Sequence, residues 1–263
     1  MSPQTQRKGE KTQKGNPHGL TKNQHILPKR SIERFSGENS CVSVFFKEDQ
    51  GRGGPKIIPP GNELFCAPRV WDQRSEDTMK KIYEDPFQEL AERILTGESS
   101  SLNSKDTETA TCFWGLWASR FLAQKEPPED IPVVGVTGIE SQDLREQLER
   151  GHALFINPDG TISGRNKAGL DIQKGIDQIL LDYANWSWGI VEAKESEFIV
   201  PDCPCVMYLP ISPKIAMLAN DQQFHGKAYF SVEDVKGLNK ALFSVTKRYL
   251  FAHSINLGTA LWT

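Results

Sequence analysis

An α+β fold, a single domain with a mixed or antiparallel sheet flanked by helices, is what this 263-residue sequence predicts. Three observations carry that expectation. Apolar residues recur at steps of three and four through the middle of the chain, the helical period. Runs of β-branched and aromatic residues gather mainly in the last third, the strand pattern. The length and the 38% hydrophobic, 25% charged composition are those of a chain able to bury a full core.

Residues 1–20 are rich in Gln, Lys, Gly, Thr and Pro and offer almost nothing apolar to bury. A flexible basic tail is expected there, followed by one globular domain over 21–263. Residues 42–46 (Val-Ser-Val-Phe-Phe) and Ile57-Ile58, separated by glycines, read as a hairpin. From Trp71 to Leu95 the residues Met79, Ile82, Tyr83, Phe87, Leu90, Ala91 and Ile94 keep helical spacing across Pro86, which predicts one kinked helix or two short ones. A Ser-rich loop over 97–105 precedes a helix striped by Cys112, Phe113, Leu116, Trp117, Phe121 and Leu122. Ser141 and Gly151 bracket a further helix, and 171–185 is helical in pattern.

After Trp186 the period changes. Two strands, ending at Val191 and Val200, are expected to be joined by the charged turn Lys194-Glu195-Ser196-Glu197. Residues 206–209 and 215–218 extend the sheet, with the helices on one side of it. Ser231, with Glu233 and Asp234 behind it, caps a last helix running through Asn239, Leu242, Val245 and Arg248 towards His253.

A net charge of −3 and a pI near 6.0 argue against a surface coated for duplex DNA. Local cationic patches remain compatible with nucleic acid. No apolar run is long enough for a signal peptide or a membrane span, so an intracellular, cytoplasmic protein is expected. Five scattered cysteines (Cys41, Cys66, Cys112, Cys203, Cys205) read as reduced thiols.

The segment Asn23-Gln24-His25-Ile26-Leu27-Pro28-Lys29-Arg30 places an imidazole beside an amide and two cations. It does not form the metal finger of His-Asn-His nucleases, because the next histidine is His152. Glu192-Ala193-Lys194 has the Glu-x-Lys form of restriction nucleases, which need an upstream aspartate such as Asp177 or Asp182, and equally the form of a solvated polar turn. Cys203-Pro204-Cys205 spaces its thiols too closely to chelate zinc alone. No phosphate loop, dinucleotide fingerprint, Gly-x-Ser-x-Gly elbow or His-Glu-x-x-His helix is present.

Gln24-His25 with Pro28 and Phe35, the 42–46 strand, Glu84, Phe198-Ile199-x-x-Asp202-x-Pro204, Leu209-Pro210-Ile211-Ser212-Pro213, Asn239 and Arg248 together resemble the bacterial family called domain of unknown function 4238, over residues 22–254. The chain has Pro201 and Cys203 where that family usually has Ser and Asn. The resemblance brings no established activity. It implies that His25, Glu84, Asp202 and Asn239 converge on one polar pocket. In one reading His25, Asp202 and Glu84 are catalytic, Gln24, Arg30, Asn239 and Arg248 bind substrate, and Glu84 with Asp202 holds Mg²⁺ or Mn²⁺. That is a metal-dependent hydrolase of nucleic acid or nucleotide, a toxin or defence effector. In the other, Gln24 and Asn239 satisfy backbone groups, Asp202 caps its turn and Arg248 neutralises Glu84. The protein is then a binding module for a partner protein or ligand.

Overall fold

The computed structural model describes residues 11–49, 54–204 and 206–254. Within them the chain starts with β1 (Asn23–His25) and α1 (Lys29–Glu33), then makes the expected hairpin, β2 (Val42–Phe46) pairing antiparallel with β3 (Lys56–Ile58). A 3₁₀ turn (Glu63–Phe65) leads into β4 (Cys66–Pro68), which pairs with β1 in a two-stranded ribbon. The helical pattern over 71–95 forms one continuous rod made of α2 (Gln73–Met79), a π-helical segment (Lys80–Glu84) and α3 (Asp85–Leu95). Pro86 explains the π segment. It has no N–H to offer and its ring crowds the carbonyl four residues back, so the ladder opens and Asp85 N–H reaches Lys80 O, five residues away.

Next come α4 (Ser104–Lys125), β5 (Ile131–Pro132), α5 (Gln142–Arg150), β6 (Thr161–Ile162) and α6 (Gly164–Asp182). Asn103 and Asp106 form a reciprocal capping box on α4, so the Ser-rich stretch ends as a helix start. Ser141 caps α5 as expected. At its other end the left-handed position falls on His152 (φ 66°), with Gly151 still in ordinary backbone. The last segment comprises β7 (Ser187–Ala193), β8 (Val200–Pro201), β9 (Tyr208–Ser212), β10 (Ile215–Asn220), β11 (Lys227–Phe230), α7 (Val232–Val245) and β12 (Tyr249–Ala252).

Two four-stranded sheets result, in the orders β3-β2-β12-β8 and β11-β7-β10-β9. The first is antiparallel throughout, and the second is mixed because β11 runs parallel to β7. This is the α+β architecture the sequence predicts. The expected hairpin between β7 and the strand at Val200 does not form, since the two lie in different sheets. Pro201 and Pro204 lack ladder donors and confine β8 to two residues, while Asn239 supplies the side-chain oxygen that receives Ile199 N–H.

Neighbouring strand residues alternate between two cores. Val42, Val44, Ile190, Leu209, Met217 and Phe251 pack with α3, α4 and α6, whereas Phe45, Val191, Tyr208, Ala216 and Leu250 pack with Val235 and Leu242 of α7. Period-two alternation puts these sets on opposite sheet faces, so helices cover both faces and not one. The last helix stops at Val245, short of His253, because the N–H groups of Lys247, Arg248 and Tyr249 turn to the Asp202 carboxylate and the chain enters β12. Residues 11–20 have no helix or strand yet are not a free tail. Gln13 and His18 bond to Asp143 and Glu146 of α5, and Leu20 is buried. Residues 1–10 lie outside the described residues.

Candidate functional site

Arg120 organises the polar centre of the molecule. It follows Phe113, Leu116 and Trp117 at helical steps on the inward face of α4 and is 1% exposed. Burying a guanidinium demands charge and hydrogen-bond partners. Its Nη1 stands 2.7 Å from Glu84 Oε1 and donates to the backbone carbonyl of His25 at 3.3 Å, and its Nη2 is 3.5 Å from Glu76 Oε2. The guanidinium carbon lies 5.1 Å over the Trp71 ring, within cation–π range. Among the described residues Nε and Nη2 find no well-oriented hydrogen-bond acceptor.

The π segment explains how Glu76 and Glu84 reach the same guanidinium. Residues eight apart on a straight α-helix are turned about 80° from one another, whereas seven apart share a face. One residue absorbed by the wider π turn makes Glu76 and Glu84 equivalent to a seven-residue pair. Glu76 also accepts from Trp71 Nε1 at 2.5 Å, and burial raises its carboxyl above the ordinary value of 4.5 despite the pull of Arg120 and that hydrogen bond.

His25 enters from β1. Its Nε2 lies 3.1 Å from the carbonyl of Pro60, which requires the proton on Nε2 and leaves the lone pair on Nδ1. Burial lowers its pKa below 6.5; Arg120 and Lys29 lower it too, while the Pro60 hydrogen bond and Glu84 act the other way. An imidazole whose proton affinity burial lowers, a carboxyl whose proton affinity burial raises and a salt-bridged carboxylate therefore meet around one cation. Gln24, the neighbour of His25, is buried and brackets Trp71 by taking its N–H at 3.1 Å and donating to its C=O at 2.9 Å, so it satisfies backbone groups.

The other motif residues do other things. Asp202 accepts from Lys247 N at 2.8 Å and Arg248 N at 2.7 Å, joining the end of β8 to the start of β12. It caps a turn some forty-five residues downstream and not its own. Asn239 bridges Ile199 N–H and Glu197 C=O. Arg30 pairs with Glu92, exposed Arg248 is not the partner of Glu84, and Arg120 takes that role. So His25 and Glu84 share a site, while Asp202 and Asn239 serve the backbone elsewhere.

The metal expectation does not fit these residues. Asp202 accepts from main-chain donors, Glu84 is held by Arg120, and no three His, Cys, Asp or Glu side chains among the described residues are grouped to hold an ion. Of the Glu-x-Lys pair, Glu192 pairs with Lys227 on the neighbouring strand and Lys194 lies over Tyr229. Asp177 and Asp182 stay on α6, hydrogen-bonded to Gln173 and Gln178. Cys41, Cys66 and Cys112 are free thiols, and burial pushes those of Cys66 and Cys112 up to about 11. No described helix is long and apolar enough to cross a membrane.

No family model, no curated protein and no solved structure matches this chain. The motif resemblance rests on the quoted residues alone. Sequence reasoning missed Glu76, Trp71 and Arg120. The readable signal was Arg120 itself, a charge seven residues after Phe113 on an otherwise apolar stripe.

Proposed function

We propose that this protein is a hydrolase working by acid–base chemistry at His25, Glu76, Glu84 and Arg120, with a nucleotide or nucleic acid as its substrate class. The observation that carries the reading is the displacement of two proton-exchanging groups in opposite senses beside one buried guanidinium, at a π segment. His25 Nδ1 takes a proton from the attacking water, and Glu76, whose burial favours the protonated form, gives one to the leaving oxygen. Solvent exchange then resets both groups. Glu84 holds Arg120 in place.

The test is a panel of nucleotides and of single- and double-stranded DNA and RNA, each with chelator and with added Mg²⁺ or Mn²⁺. Turnover in chelator is expected, falling at least about 100-fold in His25→Ala and in Glu76→Gln, the size usual for general acid–base groups. Glu192→Ala is expected to keep full activity. Turnover that needs metal, or that ignores both His25→Ala and Glu76→Gln, would overturn the assignment.

One observation favours a second reading. Both carboxylates are already engaged by Arg120 and Trp71, which suits a rigid recognition surface as well as a catalytic one. Saturable binding of a panel member with no turnover would move the protein to a binding module.

A further inference from the structure

We infer that the cavity between α2, α5, α6 and the β5–β6 ribbon is a binding site for a small organic anion with an apolar body. None of His25, Trp71, Glu76, Glu84 and Arg120 lines it. The cavity holds about 460 Å³, within the range of small-molecule sites.

Its walls are of two kinds. Ile131, Leu154 and Leu170 line it while 41%, 60% and 52% exposed, large apolar groups left against water at the mouth of a hollow. Beside them stand cations. Lys167, Leu170 and Lys174 follow one another at three- and four-residue steps along α6, so that helix presents an apolar group between two ammonium groups. Arg74 of α2 faces the same space.

The carboxylates that line the cavity are already committed to protein partners. Asp72 caps α2 through Ser75, Glu149 lies 2.8 Å from Arg69 and 2.6 Å from Arg165, and Asp171 pairs with Lys167. Arg74 approaches Asp72 only to 3.9 Å and stays half exposed. Lys174 is exposed and has no ion pair among the described residues. The lining therefore leaves two cations for an incoming charge and an apolar surface for its body, the combination an aryl or alkyl carboxylate, sulfonate or phosphate ester requires.

A backbone feature points to the same place. His152 lines the cavity in the left-handed region (φ 66°), a conformation that costs a non-glycine residue of order 1 kcal/mol. Gly151 sits one position too early to relieve it, and the imidazole is tied to Asp77 of α2 at 2.9 Å. The His152–Asp77 contact ties the end of α5 to α2, two of the helices that bound the cavity.

The probe is 8-anilinonaphthalene-1-sulfonate, a fluorescent aryl sulfonate, titrated into the full chain beside its uncharged relative N-phenyl-1-naphthylamine. One saturable site is expected, with Lys174→Glu, Arg74→Glu and Leu154→Asp each weakening the sulfonate more than threefold. The exposed Lys240→Glu, which changes net charge equally on α7, is expected to stay within threefold of wild type. Circular dichroism and the urea midpoint establish that each variant is folded. The two charge reversals are expected to leave the uncharged relative within threefold. Non-saturable binding overturns the proposal. So does affinity within threefold of wild type in the cavity variants, or equal weakening in Lys240→Glu.

Discussion

Replacing Arg120 by methionine removes the cation between Glu76 and Glu84 while keeping an unbranched apolar stem in its slot on α4. Removing one partner of a buried ion pair costs about 3–5 kcal/mol, because the other charge stays behind unpaired. The lost hydrogen bond to His25 O adds roughly 1 kcal/mol and the lost contact over Trp71 about 0.5–1 kcal/mol. Against this, the Glu76 and Glu84 side chains are 19% and 15% exposed and regain water, which favours the lower end. The expected destabilisation is about 4.5 kcal/mol, or ~9–18 °C in melting temperature for a chain of this size. Urea and thermal unfolding measure it. Adding Glu76→Gln and Glu84→Gln to Arg120→Met is expected to recover part of the loss, since neutral amides no longer need the cation. An Arg120→Met protein within about 1 kcal/mol of wild type would refute the claim that this cation holds the site together. A triple variant no more stable than Arg120→Met would do the same.

Asn239→Ala is expected to cost about 1–3 kcal/mol of stability because it leaves the buried Ile199 N–H without its partner, and Asp202→Ala about 0.5–1.5 kcal/mol because the exposed N–H groups of Lys247 and Arg248 regain water. Hydrolysis at a permissive temperature is expected to be unchanged in both, so a selective loss of turnover with an unaltered urea midpoint would return them to the active site. The pH dependence of stability follows from His25 and Glu76 with opposite signs. His25 titrates below 6.5 in the folded protein, so the unfolded chain binds the proton first and His25 removes stability as pH falls below 6.5. Glu76 titrates above 4.5 when folded, so its contribution is present at low pH and is lost as pH rises through its folded value. Urea midpoints from pH 4 to 8 are therefore expected to fall more steeply on acidification in Glu76→Gln than in wild type, and to fall with rising pH above 4.5 in His25→Gln once the baseline common to both variants is subtracted. Equal slopes in the two variants would contradict the assignment.

The sequence by itself determined the local parts of this protein. Ser141 and Ser231 read as caps because a hydroxyl beside unpaired N–H groups is a contact made within a few residues. The hairpin of β2 and β3 and the helical run to Leu95 were legible for the same reason, and Pro86 announced the irregularity that became a π segment. The imidazole of His25 and the carboxylate of Glu84 were visible as chemistry, but their company was not. Arg120 lies ninety-five residues from His25, and only the packing of α4 against α2 and β1 brings its charge to them. Asp202 and Asn239 stood in motifs as conspicuous as that of His25, yet the turn of the chain into β12 spends them on main-chain N–H and C=O groups. The cavity beside Lys174 left no mark on any one segment, since its walls come from three helices and a ribbon. Caps and periodicity are set by neighbours along the chain. Which carboxylate meets a cation and which serves the backbone is set by contacts across it, where burial makes an unpaired group too costly to leave alone.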